Sequence, residues 1–177
     1  MVRALAKAEK IILEEMYPIG SRVRLEHFES DPYSKLQPGD LGTVLKIDDA
    51  GGIHVSWDRG GSLSLIYGED GCKCLMKSEQ MVSLFQQLIS LPFEDVEGLK
   101  NWLTDKMKEA FPKISFNSER KGIIAVGLNV NAFRLADPSI NVKYEIDNKG
   151  LLSVIKCGWA KGDVLTRDTN RGFAPRG

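Results

Sequence analysis

Short apolar segments separated by glycine-rich turns fill residues 20–75, and this pattern restricts the possible folds more than any other feature of the sequence. In SRVRLEHF, apolar Val23 and Leu25 alternate with charged Arg22 and Arg24, which predicts a strand with the two arginines on its outer face. The segments LGTVLKID, IHVSWD and SLSLIYG are further candidate strands, separated by the turns DAGG and RGG. Strands of about six residues joined by such turns are typical of a small antiparallel barrel or sandwich.

A helical segment precedes this region. In residues 3–16, apolar side chains recur at three- and four-residue steps, which predicts an amphipathic helix that ends before Pro18. Because a region of about 55 residues is marginal for a free-standing core, we expect neighbouring segments to pack against the strands. We therefore predict a first domain at residues 1–76, a helix-led small β-barrel, and a second domain at residues 77–177.

The second half has helical segments first and strand segments afterwards, an order that predicts a separate α+β domain. The segments SEQMVSLFQQLISL and FEDVEGLKNWLTDKMKEAF each place apolar side chains on one helical face. Three candidate strands follow, GIIAVGLNV, SINVKYEID and LLSVIKCGW. We predict two helices packed on a three-stranded antiparallel sheet, so that the fold class of the chain is α+β. Residues 160–177 have few apolar side chains and are predicted to form an extended or mobile tail.

Several groups of residues between positions 18 and 72 carry a resemblance to a known family: GSRVRL, DPY, PGDLGTV, DDAGGIHVSWD and GED. They resemble a small domain family of unknown function that is carried by Gram-positive bacteria and by their plasmids, conjugative elements and phages. The resemblance covers roughly a third of the chain. It implies an SH3-like barrel and the setting of a mobile genetic element, whose small accessory proteins often inhibit host defence complexes. It implies no particular activity and no set of functional residues.

The cysteine and histidine residues suggest two possible kinds of site, a zinc site and a nucleophilic pair. Cys72 and Cys74, with His54 and the distant Cys157, offer zinc ligands, but the second closely spaced ligand pair of most zinc sites is missing. Buried thiols are the favoured interpretation, and we expect no metal and no cofactor. The other alternative is a nucleophilic pair between Cys72 or Cys74 and His27 or His54. Three cysteines form no disulfide framework, which suits a reducing cytosol.

Carboxylates occur at the predicted turns of the barrel, at Asp48-Asp49, Asp58 and Glu69-Asp70. If they converged, they could hold a metal ion for phosphodiester cleavage. Aspartate is also the usual residue at hairpin turns, where its side chain accepts hydrogen bonds from backbone amides. No glycine-rich phosphate loop follows a strand, so chemistry on nucleoside triphosphates is not expected.

Charge is unevenly distributed, although 24 basic and 24 acidic residues cancel over the whole chain. Residues 1–77 contain ten basic and twelve acidic side chains, whereas residues 113–177 contain eleven basic and six acidic ones. Basic side chains neutralise phosphates and aromatic rings stack on bases, so the C-terminal segment is a candidate nucleic-acid or partner surface. Its candidate residues are Lys156, Trp159, Lys161, Arg167, Arg171, Phe173 and Arg176. A solvated basic tail is the alternative interpretation.

Tyr33 is the candidate binding residue of the first domain, because it lies in a loop bounded by prolines, whereas Trp57 is predicted to lie in the core.

The longest apolar runs are far shorter than the ~20 residues that cross a bilayer, and the start of the chain has no secretion signal. We therefore expect a protein of the host bacterial cytosol. The predicted function is that of a mobile-element accessory protein that binds a host protein or ribonucleoprotein complex, as a defence inhibitor of the anti-CRISPR type. The alternative is a nucleic-acid-cleaving enzyme, such as a ribonuclease acting on guide RNA.

Overall fold

The computed structural model describes residues 7–29, 31, 33–120, 122–130, 139–160, 164–168 and 172–176. Its contacts group the chain into two compact units, the first built mainly from residues up to Gln80 and the second mainly from Met81 onward. Helices and antiparallel strands occur in separate segments, so the predicted α+β class is confirmed. No helix in the described part of the chain is long and apolar enough to span a membrane.

The first unit contains one helix followed by strands. Helix α1 spans Lys7–Met16, and the strands are β1 (Arg22–His27), β2 (Leu41–Ile47), β3 (Gly52–Trp57), β4 (Ser64–Ile66) and β5 (Gly71–Met76). Neighbouring strands pair antiparallel in the order β4-β3-β2-β1-β5. Among the described residues this sheet is open, with β4 and β5 at its ends, and it does not close into a barrel. The strand β5 was not predicted, because GCKCLM lacks the alternation of a strand with one buried face.

Buried apolar side chains from α1 and four strands form the core of this unit. They are Leu13, Val23, Leu25, Val44, Ile47, Ile53, Val55, Trp57 and Leu65. The predicted inward positions of Val23 and Leu25 and the core position of Trp57 are confirmed. Gly42 lies directly opposite Trp57, and a Cβ atom at position 42 would overlap Val55 and approach Trp57 Cε3 to 2.9 Å. The glycine therefore makes room for the indole ring.

The predicted outer position of Arg22 is wrong, because its side chain lies in the interior with only 1% of its surface exposed. Its guanidinium donates two hydrogen bonds to the Asp58 carboxylate, and it also donates to the hydroxyl of Thr43, its neighbour on β2, at 2.9 Å. A bidentate carboxylate is the partner that a buried guanidinium needs to offset its lost hydration. Alternation alone places a charged residue outside and does not reveal such a partner.

In the second unit, the structure describes two helices and the remaining strands. The helices are α2 (Ser78–Ser90) and α3 (Val96–Met107), and the strands are β6 (Pro92–Phe93), β7 (Ser115–Arg120), β8 (Ile123–Gly127), β9 (Ser139–Ile146), β10 (Leu152–Trp159), β11 (Val164–Asp168) and β12 (Gly172–Arg176). Helix α3 begins after Asp95, whose carboxylate accepts a hydrogen bond from the Gly98 backbone at 2.7 Å and so caps the helix. The two predicted helices are confirmed.

The described residues of this unit form a sheet of seven strands, so the predicted three-stranded sheet is too small. Its order is β12-β11-β10-β9-β8-β7, with β6 paired to β10, and the three predicted strands are β8, β9 and β10. The predicted tail, residues 160–177, contributes β11 and β12, which extend the sheet beyond β10. An edge hairpin can be stabilised by backbone pairing to a formed sheet, so its strands need fewer apolar side chains than central strands do.

Helix α2 packs against β10 through its apolar face. The rings of Phe85 and Trp159 meet edge to face with centroids 5.8 Å apart, and Cys157 Sγ lies 3.6 Å from the Phe85 carbonyl oxygen. In α3, Leu99, Leu103 and Met107 are buried at the expected helical spacing. The described part of this unit therefore combines two helices with an antiparallel sheet, as predicted, and α2 packs on that sheet.

Candidate functional site

A carboxylate, a histidine and a serine hydroxyl are hydrogen-bonded in a row in the first unit. His54 lies on β3, and its Nε2 is 2.8 Å from Oδ2 of Asp48, which follows β2. Its Nδ1 is 2.9 Å from the hydroxyl oxygen of Ser64, the residue opposite His54 on β4. Together they form the Asp48–His54–Ser64 cluster.

The turn between β2 and β3 positions this cluster. Oδ1 of Asp48 accepts hydrogen bonds from the backbone amides of Ala50 at 2.9 Å and Gly52 at 2.7 Å, so the side chain stabilises its own turn. A Cβ atom at position 52 would overlap the Asp48 carboxylate, so a larger residue would push this carboxylate out of its hydrogen bonds. Because His54 follows Gly52 by two residues in a strand, it lies on the same side of the sheet as this carboxylate.

The cluster has the order of groups found in an acid–base relay. An ionised carboxylate only accepts hydrogen bonds, so Nε2 of His54 carries a proton towards Asp48, and Nδ1 of the neutral ring accepts from the Ser64 hydroxyl. In that state the imidazole can take a proton from a hydroxyl group. The same bonds also connect the β2–β3 turn to β4, so the cluster holds the short outer strand on the sheet.

Ser64 was not among the residues predicted from the sequence. Its role follows from the register of the β3–β4 hairpin, in which Ser64 lies opposite His54. Sequence patterns show that His54 belongs to a strand, but the length of this loop alone does not fix its register.

The predicted Cys–His pair is not formed by the described residues. The hydrogen bonds of His54 go to Asp48 and Ser64, whereas the Cys72 carbonyl accepts from the Tyr17 hydroxyl at 3.2 Å. Burial raises the pKa of Cys72 to about 11 and that of Cys157 to about 12, and it also raises the pKa of Cys74. These thiols are therefore protonated at neutral pH and are weak nucleophiles. Groups of three or more potential metal ligands are absent from the described part of the chain.

The turn carboxylates have separate structural partners. Asp58 pairs with Arg22, and Asp49 pairs with Lys10 on the surface at 2.5 Å. Asp70 is buried and accepts backbone hydrogen bonds, while Asp48 is bound within its own turn. The turn-stabilising role predicted for aspartate is therefore confirmed at Asp48 and Asp70, whereas Asp49 and Asp58 pair with basic side chains.

Two loops of the first unit expose tyrosine side chains. Tyr33 lies between β1 and β2 and is 93% exposed, and Tyr67 directly follows β4 and is 52% exposed. The Asp70 carboxylate joins these loops, because Oδ1 accepts from the Glu29 amide and Oδ2 from the Ile66 amide, both at 2.8 Å. Tyr33 therefore occupies a surface position, as the sequence indicates.

The C-terminal candidate residues fall on three adjacent strands where the structure describes them. Lys156 and Trp159 are on β10 and are partly buried, Arg167 is on β11, and Phe173 and Arg176 are on β12, where the backbone of Phe173 pairs with that of Arg167. Lys161 and Arg171 lie outside the described residues. Trp159 uses part of its ring in the contact with Phe85, which limits the area it can offer to a base.

The Asp48–His54–Ser64 cluster should make the stability of the first unit fall at acidic pH. Partial burial favours a higher pKa for Asp48, but hydrogen bonds from His54, Gly52 and Ala50 outweigh it, so the pKa lies below its usual value. A carboxyl with a depressed pKa stabilises the fold above its unfolded pKa, and this contribution is lost as the pH falls through the folded pKa. We expect Asp48→Asn to reduce the loss of thermal stability between about pH 5 and pH 2, measured as Tm by circular dichroism.

The size of this effect is limited by solvent. The Asp48 side chain is 37% exposed, so its contribution should stay below about 1 kcal/mol. Asp49→Asn is the matched control, because it removes the neighbouring carboxylate from the exposed pair with Lys10. Equal acid sensitivity of wild type and Asp48→Asn would show that the hydrogen bonds of the cluster do not stabilise the ionised form.

Comparison with known families gives a match for residues 7–75, to the model described as "Domain of unknown function (DUF4314)". No curated protein and no solved structure shows a significant match to the chain. The matched segment runs from α1 into β5 and covers less than half of the sequence. The N-terminal part of this chain is thus similar to a family whose function is unknown, and the resemblance seen in its motifs is confirmed to that extent.

Proposed function

We propose that this protein is an accessory protein of a mobile genetic element that acts in the host cytosol by binding a host protein or ribonucleoprotein complex, as a defence inhibitor of the anti-CRISPR type. The observation that carries the proposal is the arrangement of the last three strands in the sheet. Strands β10, β11 and β12 lie side by side, and the pairings of Lys156 with Thr166 and of Val164 with Arg176 put positions 156 and 176 on the same face of the sheet although they are distant in sequence. Residues 113–177 also hold eleven basic against six acidic side chains, which favours an anionic partner.

The same proposal extends to the fold of the first domain. We propose an SH3-like barrel at residues 1–76, followed by a second domain at residues 77–177. The strand order of the first sheet supports this fold. Strands β1 to β4 are neighbours in the order of the sequence, and β5 pairs with β1 on its other side. Curvature of such a sheet around the core that contains Trp57 would bring its two ends together without new backbone pairing.

Removal of basic side chains tests the proposed surface. The triple variant Lys161→Ala/Arg167→Ala/Arg171→Ala should bind more weakly to a fluorescein-labelled single-stranded RNA and to a purified CRISPR effector complex carrying its guide RNA. Because each neutralised phosphate releases counterions, the slope of log affinity against log salt should fall by about two to three. Fluorescence anisotropy over a series of salt concentrations measures both quantities.

A charge-matched variant distinguishes the local surface from a general effect of net charge. Lys7, Lys35 and Lys73 are exposed in the first unit, and their replacement by alanine removes the same charge. This control should leave the salt slope unchanged. An unchanged slope in the C-terminal variant, with unaltered circular dichroism, would show that the basic segment is a solvated surface and would contradict the proposal.

The Asp48–His54–Ser64 cluster favours one alternative function, that of a ribonuclease. His54 has a carboxylate on one ring nitrogen and a hydroxyl on the other, which is a suitable arrangement for a general base. Incubation of the purified protein with guide RNA and magnesium discriminates between the two functions. Specific cleavage products that disappear in His54→Gln would favour the enzyme, whereas intact RNA bound to the protein would favour the binding function.

A further inference from the structure

Tyr33 is the most exposed large hydrophobic side chain in the described part of the chain, and Tyr67 exposes about half of its surface. Burial of an aromatic side chain is favourable, so an almost fully exposed tyrosine contributes little to the stability of its own unit. Tyr33 and Tyr67, with the loop residues Glu29, Asp31 and Glu69 beside them in sequence, are called the tyrosine face below.

The loops that carry the tyrosine face are held in place by hydrogen bonds. The buried Asp70 carboxylate accepts from the amides of Glu29 and Ile66, so one side chain holds the start of one loop and the residue before Tyr67 in the other. The Tyr33 amide donates to Oδ1 of Asp31 at 3.0 Å, which fixes the backbone at the tyrosine itself. Ordered loops lose less conformational entropy when a partner binds.

The loop segments that carry the two tyrosines are rich in acidic residues. Glu29 and Glu69 are exposed, and neither forms a salt bridge with another described residue. Within residues 29–37 and 66–70, the acidic side chains are Glu29, Asp31, Glu69 and Asp70, whereas Lys35 is the one basic side chain. The face of an aromatic ring attracts cations, and carboxylates do so more strongly at short range. The charge of this surface is therefore complementary to a cation.

We infer that the tyrosine face binds an extended, arginine-containing segment of a partner protein, with guanidinium groups on the faces of Tyr33 and Tyr67 and in ion pairs with Glu29 and Glu69. The inference deepens the proposed function, since it names the chemistry of the protein part of the target. Arginine fits this surface better than lysine because its planar guanidinium stacks on an aromatic ring while its edge donates to a carboxylate. RNA is the disfavoured occupant here, because the carboxylates repel phosphates.

The test uses two synthetic peptides that differ only in charge. A fluorescein-labelled peptide with arginine at alternate positions is compared with the same peptide containing citrulline, which has nearly the same shape and no charge. We expect the arginine peptide to bind the full-length protein about tenfold more tightly in low salt, and to lose this advantage as the salt concentration rises. Tyr33→Ala should weaken its binding about two- to fivefold, and Tyr33→Phe should retain it because the ring remains.

Control variants separate the tyrosine face from other surfaces. Lys35→Ala removes a repulsive charge from the same loop, so its affinity for the arginine peptide should stay equal or rise. Leu151→Ala changes an exposed apolar residue of the second unit and should have no effect. Equal affinity for the two peptides, or unchanged affinity in Tyr33→Ala, would overturn the inference. Displacement of the peptide by single-stranded RNA only when Tyr33 is present would overturn it in favour of a nucleic-acid site.

The tyrosine face and the proposed function can fail independently of each other in these experiments. If Tyr33→Ala weakens peptide binding while the C-terminal triple variant keeps its RNA affinity and salt slope, the tyrosine face stands and the proposed nucleic-acid surface fails. If the triple variant loses affinity for the ribonucleoprotein while the two peptides bind equally, the proposed function stands and the tyrosine face fails.

Discussion

Replacement of Asp58 by alanine is expected to lower the free energy of unfolding of the first unit by about 3–5 kcal/mol. The Arg22 guanidinium is buried, and Asp58 provides both oxygens of its bidentate partner. In Asp58→Ala the positive charge stays in the interior without this carboxylate, and neutral hydrogen bonds such as that to Thr43 offset much less of its lost hydration. Urea denaturation followed by circular dichroism measures the loss of stability.

The pair Arg59–Asp40 is the matched control for this prediction. Its geometry is also bidentate, at 2.8 and 2.9 Å, but the Arg59 side chain is 44% exposed. Arg59→Ala should therefore cost much less than Asp58→Ala. The double variant Arg22→Met/Asp58→Ala should recover much of the lost stability, because it removes the buried charge as well. Similar losses in Asp58→Ala and Arg59→Ala would show that burial of Arg22 does not determine the energy of its ion pair.

Replacement of Trp57 by alanine is the second prediction with a large effect, a loss of about 3–5 kcal/mol from the first unit. The indole ring is fully buried in the core, so its removal leaves a cavity that the surrounding strands fill only in part. The shape of the site depends on Gly42, which leaves the space that the ring occupies. Tm measurements and urea denaturation should both show the change.

Trp57→Phe separates packing from hydrogen bonding. The indole N–H donates to the Leu63 carbonyl oxygen at 2.9 Å, and phenylalanine loses this bond while it keeps most of the ring volume. Its cost should be smaller, about 1–2 kcal/mol, because a single neutral hydrogen bond contributes about 1 kcal/mol. If phenylalanine were as destabilising as alanine, the hydrogen bond to the β3–β4 loop would dominate over core packing.

The three helices, strands β1 to β4 and strands β8 to β10 could be predicted because their signals are local. Alternation places Val23 and Leu25 inside β1, and the four-residue spacing of Leu99, Leu103 and Met107 marks the buried side of α3. These patterns follow from backbone geometry and do not depend on distant residues. The outer strands β11 and β12 were missed because they depend on a neighbouring strand for their stability, which composition does not reveal.

The candidate site was predicted less well because its contacts join residues that are not neighbours in sequence. The exposed position of Tyr33 could be predicted from its loop, but the pairing of His54 with Ser64 depends on strand register, and the burial of Arg22 depends on Asp58. Register is determined by turn geometry and side-chain packing together. Each of these interactions therefore needs the three-dimensional arrangement before its chemistry can be recognised.

The consecutive order of strands β7 to β12 has a consequence for shortened forms of the chain. Each strand pairs with its neighbour in sequence, so cleavage after Ala160 would remove β11 and β12 and leave every pairing among the earlier strands intact. The truncated sheet would then end in β10 beside the short β6, and the backbone groups of Lys156–Gly158 that had paired with β11 would be available to a strand from another molecule. We therefore expect the shortened chain to self-associate before it loses secondary structure.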